Sequence, residues 1–238
     1  RERLHHRQNR KIGNEGHSFM TAASNRIACA EDKIPVCVFV SGGGTNLQAL
    51  LDESKAGRMP SAKISLVVSD KDTAFALTRA KNAGVETAVV DYKKAGSQEA
   101  FEKQLLSLLE EKRIGVIVLA GFLRILSEDF VRRFPERILN VHPSLIPSFC
   151  GKGFYGLKVH EAALSRGVKV TGATVHFVNE IPDGGKIVMQ KAVAVEEGDT
   201  PEILQQRVMR EAEWILLPAA TEKVCGNLLS AKKQGDRT

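Results

Sequence analysis

Three short polar segments carry the residue types that could do chemistry. The first is Ser41-Gly42-Gly43-Gly44-Thr45-Asn46, set between an apolar run and a helical one. Three glycines let a backbone approach an anion closely, and a helix start offers unpaired N–H groups and the positive end of the dipole. A phosphate is the natural ligand. A plain strand-to-helix turn with Thr45 or Asn46 as N-cap uses the same residues. The segment has no Gly-Lys-Ser/Thr ending and lacks the third glycine of the dinucleotide fingerprint. The second segment is Asn140-Val141-His142-Pro143-Ser144-Leu145-Ile146-Pro147. Asn140 and His142 are two apart, so on an extended segment they leave the same face. An amide donor beside an imidazole at a strand end can polarise a carbonyl and stabilise the oxyanion formed when it is attacked. Ile146-Pro147 is a candidate cis bond. The third is Asp183 in Pro182-Asp183-Gly184-Gly185. Asp-Gly is a common turn pair, yet a carboxylate brought next to His142 would raise the imidazole pKa and favour its charged form. Local sequence leaves both readings open. His160 and His176 could join His142 around a metal, but their spacing matches no zinc pattern, and no metal is expected.

The elements that must position these segments are legible from periodicity. Residues 36–40, 64–68, 85–90, 114–119 and 138–141 are apolar, β-branched runs of the kind buried on both faces of a parallel sheet. Helices alternate with them at about residues 46–55, 75–83 (ending at Gly84, a natural C-cap) and 98–112. In the last of these, Phe101, Leu105, Leu108 and Leu109 recur at helical spacing. This is an α/β chain with a doubly wound, mostly parallel sheet, in which ligands bind at the carboxyl ends of the strands. The three polar segments fall at such ends. Beyond Pro143 the pattern changes to a helix at 157–164 and two longer strands, 173–178 and 186–195, that form an antiparallel C-terminal part. A final helix starts at Pro201, a good first residue after Thr200, and runs towards Glu222.

Composition narrows the class. With 43% apolar residues the chain can bury a full core, and no run is long enough for a membrane span. The net charge of +6 lies in the ends: residues 31–229 hold 25 basic and 25 acidic side chains. With aromatics at 5% and no basic cluster, nucleic acid is not an expected partner. Cys29, Cys37, Cys150 and Cys225 are widely spaced and read as free thiols. The chain divides into a basic presequence or extension (1–34), a folded body (35–225) and a polar tail (226–238). The leader is acid-poor, bears Arg, Ser and Asn and contains no apolar core segment, as in an organellar transit peptide; it opens without Met.

Taken in order, five stretches resemble the glycinamide ribonucleotide formyltransferase family: SGGGTNLQAL from Ser41, VIVLAGFLRILS from Val116, LNVHPSLIPSFCGKGFYGLKVHEAAL from Leu139, GATVHFVNEIPDGG from Gly172, and the helix before Leu217-Pro218. The resemblance implies a Rossmann-like formyltransferase fold and transfer of a formyl group from 10-formyltetrahydrofolate to the amine of glycinamide ribonucleotide, in purine synthesis. It implies that the ribonucleotide phosphate rests on Gly44, Thr45 and Asn46. The pterin would lie against Leu123, Arg124, Ile125 and Leu126 and against Asn179, Glu180, Ile181, Pro182 and Asp183. It makes Asn140 and protonated His142 the oxyanion donors and Asp183 the residue that holds His142 charged; no metal is needed.

Two departures stand out. Gln98 replaces a residue that is often basic near the folate site. In the last helix the family's substrate-binding Glu does not register: counting back from Pro218 gives Glu213, counting forward from Arg207 gives Ala212, and Glu211 is adjacent. The family's usual closing hairpin is also missing after this helix. A formyltetrahydrofolate hydrolase would share the Asn-His-Asp set, but usually with an extra N-terminal domain; a methionyl-tRNA formyltransferase would need a basic C-terminal one. A non-catalytic ribonucleotide-binding module is the reading from another class. A purine-pathway enzyme with this leader points to a plant plastid, with mitochondrion or cytoplasm as alternatives. Oligomeric state is not legible.

Overall fold

The computed structural model describes residues 33–235; the transit-peptide reading falls on residues that lie outside them. Strands β1 (Ile34–Val40), β2 (Ala62–Ser69), β3 (Glu86–Val89), β4 (Val116–Leu119), β5 (Ile138–His142), β6 (Val170–Phe177) and β7 (Ile187–Ala194) form one sheet. Its order is β3-β2-β1-β4-β5-β6-β7. Every pair from β3 to β5 is parallel, and β5–β6 and β6–β7 are antiparallel. The doubly wound sheet with a reversed C-terminal part is therefore the architecture observed.

The helices are α1 (Thr45–Lys55), α2 (Phe75–Asn82), α3 (Tyr92–Ala95), α4 (Gln98–Glu111), α5 (Glu128–Arg132), α6 (Leu157–Arg166), α7 (Pro201–Val208) and α8 (Trp214–Gly235). A π-helical turn, Met209–Glu213, joins the last two. The apolar runs read as strands buried on both faces because alternate side chains enter two different cores. On β1, Val36, Val38 and Val40 pack into the cluster that also takes Leu47 and Leu50 of α1 and Leu217 and Ala220 of α8. Cys37 and Phe39, between them, pack into the opposite cluster with Phe101 and Leu105 of α4. On β4, Val116 and Val118 face the first cluster while Ile117 and Leu119 face the second.

Two helices have no counterpart in the periodicity of the sequence. α3 and α5 have four and five residues, too few for a helical period to show, and each is defined by its cap. Asp91 accepts the Lys93 and Lys94 N–H groups, and Ser127 accepts that of Phe130. The last helix runs well past Glu222. Residues 226–235, expected in a polar tail, continue it, because Leu228 and Leu229 extend the stripe of Val224 and Cys225 onto the first cluster. No helix among the described residues is long and apolar enough to cross a membrane.

The two clusters predict their own sensitivity. Leu66 on β2 is fully buried in the second one. Leu66→Ala is expected to lower the unfolding free energy by about 2–5 kcal/mol, the usual cost of a leucine-sized core deletion. Urea titration reads this as a lower midpoint at an unchanged slope.

Candidate active site

β5 ends the parallel part of the sheet, and its last residues face two ways. Asn140 and His142 leave the same face, and across the antiparallel pair they stand opposite His176 and Thr174 of β6. Thr174 fastens the segment that follows: its hydroxyl donates to Ser144 O at 2.7 Å and accepts the Ile146 N–H at 3.1 Å. The Ile146-Pro147 peptide is cis.

Asp183 arrives from the β6–β7 connection with a left-handed backbone, φ 54°. Its Oδ2 accepts the Gly151 N–H at 2.8 Å and lies 3.5 Å from His142 Nδ1. Its Oδ1 lies 3.5 Å from His176 Nε2. Burial alone would push this carboxyl up. The His176 hydrogen bond, the Gly151 N–H and the two imidazoles outweigh it and hold the group below its ordinary value. The close return of the chain needs glycine: a Cβ on Gly185 would sit 1.7 Å from the Phe177 carbonyl oxygen.

His142 is buried, and both its nitrogens face acceptors. Nδ1 looks at Asp183, and Nε2 is 2.8 Å from Phe149 O, a residue that also has a left-handed backbone. A ring with hydrogens on both nitrogens satisfies both neighbours at once. His176 Nδ1 is 2.8 Å from Phe177 O, and a carbonyl can only accept. Its Nε2 lies between Asn140 Nδ2, at 3.2 Å, and Asp183 Oδ1, at 3.5 Å. His176 thus links Asn140 to Asp183. The sequence offers it only as a candidate metal ligand, because the register that sets it opposite Asn140 exists only once β5 and β6 pair.

The glycine loop lies at the carboxyl end of β1. With Ala120 and Gly121 at the end of β4, residues Gly42 to Asn46 line a cleft of about 310 Å³. β1 pairs with β2 on one side and β4 on the other, so the cleft sits where the strand order reverses, the usual ligand position in such sheets. Gly44 itself caps α1, with φ 74° and no side-chain hydrogen bond, so neither Thr45 nor Asn46 caps it. A Cβ on Gly44 would lie 2.6 Å from that of Ala76. Asn46 Nδ2 donates to Glu213 Oε2 at 2.8 Å. Glu213 is buried, which pushes its carboxyl up against the opposing effect of the Asn46 hydrogen bond. Glu211 is exposed and Ala212 lies in the first core cluster. Of the three positions left open by counting, Glu213 is the one joined to the glycine loop.

Leu123, Arg124, Ile125 and Leu126 form an irregular loop beyond β4. Leu123 and Ile125 are 66% and 79% exposed, whereas Leu126 is buried. Leu126 belongs to the same apolar cluster as Val178, which leads into the second loop. There Asn179 Oδ1 accepts the Ile181 N–H at 3.1 Å, Ile181 O accepts the Gly184 N–H at 2.9 Å, and the Ile181 side chain is exposed. Glu180 and Pro182 are exposed as well. Gln98 donates to Ile125 O at 3.1 Å and to Glu102 at 2.6 Å, so its amide acts inside the protein.

A family model described as formyl transferase matches residues 34–221. The chain is 44% identical over 204 residues to the trifunctional purine biosynthetic protein adenosine-3 of Gallus gallus, covering 86% of this chain and 20% of that protein. It therefore spans about a fifth of the length of that relative. It is 36% identical over 201 residues to the chloroplastic phosphoribosylglycinamide formyltransferase of Arabidopsis thaliana, covering 84% of this chain and 68% of that one. Among solved structures it is similar to glycinamide ribonucleotide transformylase 1 from Symbiobacterium toebii, with 40% identity, a TM-score of 0.76, and coverage of 82% and 89% of the two chains.

His160 on α6 lies near His142 without a hydrogen bond to it. It is fully buried, and among the described residues neither ring nitrogen has a partner. No group of three or more His, Cys, Asp or Glu among the described residues is arranged to hold a metal. Burial, and then the neighbouring His142, push the His160 imidazole down to about 4. A base with a depressed folded pKa takes its proton more readily when unfolded. His160 should therefore weaken the fold progressively as pH falls from about 6.5 towards 4. Equilibrium unfolding across that range should show a loss of stability in the parent that His160→Leu does not share. Parallel curves would refute it.

Proposed function

The chain belongs to the formyl transferase family, and from that premise we propose that it moves a formyl group from 10-formyltetrahydrofolate to the amine of glycinamide ribonucleotide. The observation that carries the reading is the joined set of Asn140, His142 and Asp183 at the end of β5, two strands from an open glycine-lined cleft. The ribonucleotide phosphate takes the N–H groups of Gly44, Thr45 and Asn46 at the start of α1, and Glu213 faces the same substrate. The folate lies between the loop Leu123 to Leu126 and the loop Asn179 to Asp183, whose exposed Leu123, Ile125 and Ile181 suit a flat, largely apolar ring system.

The amine lone pair attacks the formyl carbon, the new C–N bond forms, and the carbonyl electrons move to oxygen. Asn140 donates an N–H to that oxyanion. His142 donates from Nε2 after exchanging Phe149 O for it, while Asp183 holds the opposite nitrogen. The amine then gives up a proton, helped by Asp183 through a water. The oxyanion collapses, the bond from carbon to the folate nitrogen breaks, and that nitrogen takes a proton. Charge and atoms balance with no covalent enzyme intermediate.

The chloroplastic relatives of Arabidopsis thaliana and Vigna unguiculata, together with the acid-poor basic leader, support a plastid as the site of action. Residues 1–34 fused to a fluorescent protein should enter plastids; a fusion that stays in the cytosol overturns this.

The activity is tested by following deformylation of 10-formyldideazafolate by absorbance. Turnover should require glycinamide ribonucleotide and vanish in His142→Ala and Asp183→Asn. Asn140→Ala should lower kcat by about 10²–10³, the usual effect of losing one oxyanion donor. Turnover without ribonucleotide would make the protein a hydrolase, and tight ribonucleotide binding without turnover a binding module.

A further inference from the structure

Residues 121–127, between β4 and α5, have no helical or strand structure, yet hydrogen bonds from three other parts of the chain and a ring from a fourth hold them. Ser41 Oγ accepts the Leu123 N–H at 3.0 Å. Arg124 Nε donates to Asp70 Oδ2 at 3.0 Å, and its guanidinium lies 4.4 Å from the centre of the Tyr92 ring. Gln98 donates to Ile125 O. Glu102 accepts the Ser127 N–H and hydroxyl at 2.6 and 2.5 Å. An ordinary loop buries its large apolar side chains and leaves its polar groups to water. This one buries Leu126, yet it anchors polar groups inward while Leu123 and Ile125 stand in solvent.

The Asp70 tether is the one that stability alone does not explain. The carboxylate side chain has no exposure at all, and its Oδ1 has no partner among the described residues. A buried carboxylate with a single cationic partner is weak evidence for stability, since desolvation opposes the Coulombic gain, and an apolar pair often does as well. What the pair does provide is a fixed direction: it joins the end of β2 to the middle of the exposed loop and seats the guanidinium on an aromatic face.

We propose that Asp70 is a positioning residue for the folate, acting through Arg124 to fix the backbone of residues 123–125 in the form that receives the ring. The proposal rests on the formyl-folate reading of that loop. It follows that the Arg124 guanidinium is engaged within the protein, and that the ligand meets the loop's backbone and the Leu123 and Ile125 side chains.

Asp70→Asn keeps the shape and removes the charge. It should raise KM for the formyl-folate about tenfold, leave KM for the ribonucleotide within twofold, and change kcat little. Backbone hydrogen exchange without ligand should speed up at residues 123–125 and not in α4 or β1. Arg124→Gln, at a partly exposed position, should reproduce both effects, and the double variant should be no worse than either single one. Unchanged KM and exchange in a folded Asp70→Asn protein would overturn the proposal, as would an equal loss in both KM values and kcat. The two readouts separate the layers. A parent protein that neither binds nor turns over a formyl-folate analogue removes the functional reading, and with it the folate role. Exchange at 123–125 still decides whether Asp70 holds the loop.

Discussion

A carboxylate among apolar strands must receive hydrogens from its neighbours, and at Asp183 that requirement draws three separate stretches of chain together. β5 supplies His142, β6 supplies His176, and the loop after the cis peptide supplies the Gly151 N–H. None of these would be close without the antiparallel return of β6 alongside β5. The tight approach of Gly185 to Phe177 then bends the connection back far enough to deliver the carboxylate. Its depressed pKa has the same cause: the charge is kept because everything around it donates. The left-handed backbone at Asp183 is held by these contacts.

The sheet sets the distances between the parts. The glycine loop follows β1, the irregular loop follows β4, and the Asn140–His142 pair closes β5, three adjacent parallel strands in spatial order. Neighbouring strands lie about 4.8 Å apart, so the glycine-lined cleft and the imidazole are separated by roughly 10 Å across the carboxyl edge. A molecule with an anion at one end and a nucleophile at the other fits that separation, and the loop beyond β4 overlooks the space between. The two hydrophobic clusters pack the sheet on both faces, so the geometry does not depend on loops alone. The loops that matter are tied back by carboxylates: the buried Asp70 and Glu102 hold one, and the partly buried Asp183, against His142 and His176, holds the other.

Legibility followed the range of the interactions. The parallel strands were readable because burial on both faces leaves a continuous apolar run, and that is a local signal. Asn140 and His142 share a face for an equally local reason, the two-residue strand period. His176 was not readable as their neighbour, since nothing in Val175-His176-Phe177 says which strand lies opposite. Asp70 and Glu102 escaped for a related reason. A buried acid looks like any surface acid until its partner, here Arg124 or Ser127, is known to be 54 or 25 residues away. The short helices α3 and α5 depend on a cap more than on a period, and Ser127 and Asp91 read as ordinary loop residues.

The last helix shows a subtler limit. Counting against the family pattern forward from Arg207 and back from Pro218 differs by one residue, which places one residue more between those landmarks than the pattern has. A π turn carries one residue more than an α turn, and Met209–Glu213 is such a turn. The extra residue is absorbed locally, so Leu204 and Val208 before it and Leu217 and Ala220 after it all reach the same core cluster. A straight helix of this sequence would rotate everything after the turn by about 100°, since each α-helical residue advances by one part in 3.6 of a turn. With Leu217 and Ala220 held in the core, the upstream stripe would then leave it; with the upstream stripe held, Glu213 would leave Asn46. Burial on both sides of the turn therefore favours the π geometry, and the Asn46–Glu213 contact results from that compromise. A register ambiguity of one residue, with apolar stripes intact on either side, is thus itself a readable sign of a π turn.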